Sequence, residues 1–342
     1  MAIDPTHIVT SVRDVVADAV RSKVVGPNAD ERAAQLFAAP GERWFAEDRP
    51  IRVIHADTAM FVGGLRALLF QSLHPLAMAG VAQHSDYKAD PWGRLQRTAD
   101  FLAATTFGPA DQAQQTIDMI KRVHTRVVGT ASDGRPYSAN DPHLLKWVHI
   151  AEVDSFIAAH RTFGDVRLTD VDYDGYVADM AVIATALGVN DAPRTTQELR
   201  ESLRDYRPEL RSSAEARDAA RYLLLTPPLP IVIRPAYGLL AAAAVSLMPA
   251  WTRVPLRLPW LPLSERAVVR PAGTNGKPQV FHLDARSPVA LAYAEGFALR
   301  PKDVVFVDSS QLVRWNRVIS LVLPTTGGIV GTAVQATQIN RN

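Results

Sequence analysis

The chain has 342 residues, 37 basic and 35 acidic, a net charge of +2 and no cysteine. That balance gives no electrostatic case for nucleic acid, and the missing thiols exclude disulfides, thiolate nucleophiles, iron–sulfur clusters and cysteine-held zinc. With 47% hydrophobic and 21% charged residues, the composition is globular, and the length suits one large unit plus a smaller one.

The first residues, MAIDPTHIVTSVRDVV, lack a basic segment followed by an apolar run, so no signal peptide is read there. Absence of Cys fits a reducing compartment. Together these read as a cytoplasmic protein, with peripheral contact to a membrane left open. Helical periodicity then dominates to about residue 270. Residues 5–24 carry a one-sided apolar stripe. Asp57 and Thr58 look like caps of a helix to about Ser72, and Pro75 starts another. A helix over 93–106 ends at Gly108, and Pro109 opens a long one predicted to run to about Thr130. There, Ile117, Ile120, Val123, Val127 and Val128 share a face. Residues 132–142, SDGRPYSANDP, read as a loop. Pro142 opens a helix stopped by Gly164, and more helices are expected at 169–187, 195–205, 213–225 and 236–248. The most apolar stretch, 231–251, is flanked by Arg234, Pro235 and Pro249. Its uninterrupted core of about 13 residues falls short of the roughly 20 that a spanning helix needs. It is therefore expected to lie on or in the domain. Gly63-Gly64 inside a helix suggests close helix packing.

The character changes after Arg270. PAGTNGKPQ reads as a linker. Strands are expected at 280–283 and 303–307, and helices at 288–297 and 309–323. The fold class is thus all-α, with a helical domain over 1–270 and a linker plus small α+β tail over 271–342.

Redox or metal chemistry in this chain must use histidine. His74, His84, His124, His143, His149 and His160 all fall between residues 74 and 160. Arg94, Arg97 and Thr98 stand at i, i+3 and i+4, so two guanidinium groups and a hydroxyl share a helix face suited to an anion. A solvated basic face is the plain alternative. His124 lies within an apolar helix face, where its imidazole could ligate iron or simply be a satisfied core histidine. His149 and His160 lie on one helix, too far apart for one metal site. No H-E-x-x-H, Walker loop or G-x-S-x-G is present.

Six ordered segments carry a resemblance: HPLAMAGVAQHS (74–85), DPWGRLQRTADFL (90–102), FGPADQA (107–113), IKRVHTRVVG (120–129), DGRPYSANDPHLLKWVHIAEVDS (133–155) and RTFG (161–164). Over roughly residues 40–270 the chain resembles the MpaB/rubber-oxygenase family, which includes the latex-clearing proteins. The resemblance implies an all-helical fold with a haem pocket between helices, haem b and its iron as cofactor, and oxidation of an apolar, isoprenoid- or lipid-like small molecule by O2. The family's Arg-x-x-Lys-Thr run near the distal haem face matches Arg94, Arg97 and Thr98, with arginine in place of the lysine. A guanidinium is a poor iron ligand, which leaves the distal position open or water-filled. The proximal histidine matches His124, on the next long helix, with His149 as a second cofactor-binding candidate. Where the family has an upstream acidic residue, this chain has Gln83 and His84. From about residue 278 the sequence instead resembles the C-terminal end of outer-membrane polysaccharide export proteins. Two other readings stand beside the oxygenase: a non-catalytic lipid- or isoprenoid-binding helical protein, and an envelope-associated assembly protein acting through the tail.

Overall fold

A computed structural model of the chain describes residues 29–85, 88–230, 234–258, 265–270, 279–284 and 304–306. The helices expected at 5–24, 288–297 and 309–323 lie outside the described residues. The chain divides into two compact units, Met1–Leu258 with Val322–Asn342 and Pro259–Leu321.

The first unit is helical, and local signals set most of its boundaries. In order come α1 (Ala29–Ala38), α2 (Pro50–Ala56), α3 (Ala59–Gln71), α4 (Pro75–His84), α5 (Pro91–Phe107) and α6 (Ala110–His124). A short hairpin, β1 (Val128–Thr130) and β2 (Pro136–Ser138), follows. The unit continues with α7 (Pro142–Phe163), α8 (Asp170–Leu187), α9 (Thr196–Tyr206), a 3-10 turn (Arg207–Glu209), α10 (Ala214–Leu225), α11 (Arg234–Ser246) and α12 (Ala250–Arg253). Asp90 and Asp141 cap α5 and α7 from the side chain, each followed by Pro at the first helical position, where a missing N–H costs nothing. Thr169 and Asp172 form a capping box on α8, satisfying two orphan amides reciprocally.

The 22-residue α7 is the central element. It packs most extensively on α3, and also on α2, α4, α8 and α9. Trp147, Ile150, Val153 and Ala159 are fully buried along it. The close approach of α3 rests on Gly63, where an added Cβ would meet the Phe156 ring at 2.7 Å and Ala159 at 3.3 Å, while Gly64 faces open space. Of the glycine pair, one therefore carries the packing.

Two arginines tie the core through ion pairs. Arg66 is 3% exposed and donates to Asp154 Oδ2 at 2.7 Å, Ser155 Oγ at 2.6 Å and the Leu247 carbonyl at 3.0 Å. It joins α3, α7 and the end of α11. Arg49 pairs with Asp179, whose other oxygen accepts from the Ile51 amide at 3.4 Å. Among the described residues no single helix is long and apolar enough to cross a membrane, although α2 and α3, bent by 91°, pass that test as a pair. Both are largely buried within the helical unit, as core helices are. Residues 234–246 of the apolar stretch form α11, packed on α3.

Two expectations are corrected. The helix predicted from Pro109 to about Thr130 stops at His124, and the segment read as loop supplies β2. Val128 pairs with Ser138, Gly129 with Tyr137 and Thr130 with Pro136, and the Ala139 amide donates to the Val127 carbonyl at 2.9 Å. The β-branched run Val127-Val128, followed by Gly129, favours this over another helical turn.

The second unit holds an antiparallel three-stranded sheet in the order β4-β3-β5, with β3 (Glu265–Arg270), β4 (Gln279–Asp284) and β5 (Val304–Phe306). β4 and β5 were expected from the sequence. The central strand β3 was not, and it pairs Glu265 with Asp284 and Ala267 with Phe306.

Candidate functional site

The expected site residues fall on three helices. Arg94, Arg97 and Thr98 lie in the first half of α5, His124 is the last residue of α6, and His149 is in the first half of α7. α5 packs on α6, and the end of α4 joins them. His84 Nε2 lies 3.1 Å from the Val128 carbonyl, four residues beyond His124. The next residue, Ser85, accepts from Arg94 Nη1 at 2.7 Å. Gln83 adds two more ties, donating to the Thr130 carbonyl at 2.9 Å and accepting from Tyr137 Oη at 2.6 Å. Gln83 and His84, at the place where the resemblance calls for an acid, thus hold the hairpin that ends α6.

Within the arginine face, Arg97 forms an ion pair with Asp90 at 3.2 Å and is mostly exposed. Thr98 Oγ1 donates to the Arg94 carbonyl at 3.1 Å. His124 is half-buried. Its Nδ1 is buried and has no hydrogen-bond partner, and burial lowers its pKa. Beside it, Val123 and Val128 keep 51% and 52% of their surface. The continuous apolar wall expected around His124 is therefore an open apolar lip, because the chain turns into the hairpin there.

His149 sits deeper. Its Nε2 is also buried without a partner, and burial first, then Lys146, lowers its pKa to about 4. One turn on, burial pushes the Glu152 carboxyl up to about 7. The Glu152 charge reaches Tyr176 on α8, whose hydroxyl burial has pushed well above its ordinary pKa. Tyr176 Oη is 3.1 Å from His55 Nε2, and His55 Nδ1 is 2.7 Å from Thr106 Oγ1. Burial alone pulls His55 down to about 3, so it is a neutral imidazole.

His55 and Glu152 escaped sequence reading. His55 lies on the seven-residue α2, too short to show a periodicity, and Glu152 looks like an ordinary polar helix position. A third group, His74, His143 and Glu209, holds its ligand atoms within 4.8 Å of one another.

Haem would need an imidazole nitrogen able to bind iron and apolar surface to cover the porphyrin. The unpartnered buried nitrogens of His124 and His149 and the apolar Val123–Val128 lip fit those needs. A buried polar atom left without a partner costs about 1–3 kcal/mol, so such atoms point to a missing neighbour.

Comparison with known proteins agrees with the sequence resemblance. Residues 51–274, more than half the chain, match the family described as ER-bound oxygenase mpaB/B'/Rubber oxygenase, catalytic domain. The chain is also 62% identical over 69 residues to the EPS I polysaccharide export outer membrane protein EpsA of Ralstonia solanacearum, and 61% identical over 69 residues to that of Ralstonia nicotianae. Each match covers 20% of this chain and only 18% of the export protein. No solved structure matches the chain.

Proposed function

The chain belongs to the mpaB/rubber-oxygenase catalytic-domain family, and we propose that within it the protein is a haem-dependent oxygenase acting on an apolar, isoprenoid- or lipid-like substrate with O2. The observation that carries this reading is the junction at the end of α4. His84 and Ser85 tie the hairpin beyond His124 and Arg94 of the arginine face to adjacent residues of one helix end.

In this reading His124 holds the iron of haem b. Its buried Nδ1 without a partner and its lowered pKa favour the neutral imidazole that ligation needs. His149, equally neutral and unpartnered at Nε2, is the second candidate. Haem, when bound, would supply the oxygen chemistry. Arg94 and Arg97 offer donors to anionic groups, carboxylates among them, and Thr98, whose hydroxyl donates to the Arg94 carbonyl, shares their face. Arg97 cannot take the iron as a lysine could, because guanidinium keeps its proton. The upstream acid of the family being replaced, Glu152 is a half-buried carboxyl whose pKa, raised to about 7, lets it hold or release a proton at neutral pH. The test is the visible spectrum of the purified protein: a Soret band that His124→Ala removes supports the reading, and a colourless protein opposes it.

A further inference from the structure

His74, His143 and Glu209 come from three separate parts of the helical unit. His74 is the residue before α4, His143 is the second residue of α7, and Glu209 ends the 3-10 turn after α9. Glu209 Oε2 lies 3.3 Å from His74 Nε2 and 3.0 Å from His143 Nε2, and Oε1 lies 3.0 Å from the same His143 nitrogen. His74 is 1% exposed, whereas His143 and Glu209 keep 50% and 38% of their side-chain surface. The cluster therefore has a buried floor and a side open to water.

Tyr206 orients the His143 ring. Tyr206 Oη donates to the His143 carbonyl at 2.8 Å, which uses its single proton. At 3.0 Å from His143 Nδ1 the same oxygen can then only accept, so Nδ1 carries a proton. Nε2, the other ring nitrogen, faces both oxygens of Glu209. Two imidazole nitrogens and one carboxylate thus converge within 4.8 Å of one another, around a shared proton or a shared ion.

We propose that His74 Nε2, His143 Nε2 and the Glu209 carboxylate bind one divalent first-row metal ion, of the class that includes zinc. Two imidazoles and one carboxylate are a donor set that such ions prefer. Donors at 2.0–2.1 Å from a shared ion stand about 3 Å apart. Both His–Glu pairs already meet that spacing, and the exposed His143 closes the wider His74–His143 gap by a small rotation. Tyr206 supplies the outer support that metal-bound imidazoles usually have. It fixes the His143 tautomer and stacks on the ring, with centroids 4.5 Å apart. Ligation moves the His74 ring proton to Nδ1 and gives up its long 3.4 Å bond from the Ala77 amide. The charge of Arg135 reaches the cluster, but Asp133 pairs with it at 2.8 Å and offsets much of that charge. The ion would clamp the starts of α4 and α7 to the turn after α9. The cluster shares no residue with the proposed haem site and does not depend on the haem reading.

The test is a calorimetric titration of the untagged full-length chain, stripped with EDTA, with zinc chloride, alongside thermal melts. One zinc per chain and a raised Tm are expected. His143→Ala and Glu209→Gln should each weaken that binding by about tenfold or more, as loss of metal-site groups does, and remove the rise in Tm. His143 is exposed and Glu209 half-buried, and Gln keeps an acceptor for His74, so the metal-free Tm should move little, and circular dichroism checks the fold. If wild type takes up no zinc, or Glu209→Gln binds it as wild type does, the cluster is a proton-sharing network and the metal site is refuted.

Discussion

Arg94 Nη1 donates to Ser85 Oγ at 2.7 Å, one residue beyond His84, whose Nε2 meets the Val128 carbonyl at 3.1 Å. The end of α4 is thus a splice between the arginine face of α5 and the hairpin that positions His124. Gln83 makes the strongest part of that splice, with bonds to Thr130 and Tyr137. Gln83→Ala should cost about 1–2 kcal/mol, two partly exposed hydrogen bonds' worth, in urea denaturation. Haem content per chain should fall with it. Unchanged haem content alongside lost stability would separate the hairpin from the site.

The α3–α7 contact gives a paired test. Gly63→Ala places a Cβ 2.7 Å from the Phe156 ring, and such overpacking should destabilise by about 1–3 kcal/mol. Gly64→Ala meets nothing within 4 Å and should be neutral or stabilising by up to about 1 kcal/mol, the helix-propensity gain. Chemical denaturation of the two variants reads the difference directly, and equal effects would contradict the packing described.

Arg66→Ala removes the cation facing Asp154 and Ser155 in the core. Asp154 retains 26% of its side-chain surface, so water can meet part of its need. The loss should sit near the lower end for a broken buried pair, about 3 kcal/mol, seen as an earlier denaturation midpoint. A loss under about 1 kcal/mol, the worth of an exposed pair, would show that this arginine is not a core clamp.

Acid stability follows from three desolvated groups, His149 in the core and His55 and Glu152 half-buried. His55 and His149 have folded pKa values near 3 and 4, below the ordinary 6.5. Their stabilisation is full above about pH 6.5 and is lost as pH falls toward 4 and 3, because the unfolded chain takes the proton first. Glu152 works the other way: its folded pKa near 7 exceeds the ordinary 4.5. Its contribution is present below pH 4.5 and lost as pH rises through 7. The two histidines outweigh the one carboxyl, so the haem-free protein should lose stability from pH 6.5 downward. His149→Gln should flatten that decline and Glu152→Gln should steepen it, read as denaturation midpoints across pH. A flat profile in the wild type would mean that these groups are hydrated.

Helix boundaries were legible where the signal is local. Pro142 and the start at 169 were read from the sequence, because a cap and its amide lie within one turn, whereas the helix read from 93 begins at Pro91 behind the Asp90 cap. The end of α6 was not legible, since Val127 and Val128 continue the apolar period and only pairing with residues 136–138 decides against a further turn. The arginine face and His124 could be read from spacing and resemblance. Glu152 could not, because its character comes from burial. The His74–Glu209 pairing spans 135 residues, a distance over which sequence periodicity carries no information.

The central claim is that His124 holds haem iron, and the Soret absorbance of purified variants tests it most directly. Wild type and His149→Ala should show the band with near-stoichiometric haem, while His124→Ala should lose it and keep its helical circular dichroism. His124→Ala retaining the band while His149→Ala loses it would move the ligand to α7. A wild-type protein that takes up no haem would contradict the account and favour a non-catalytic binder of apolar molecules.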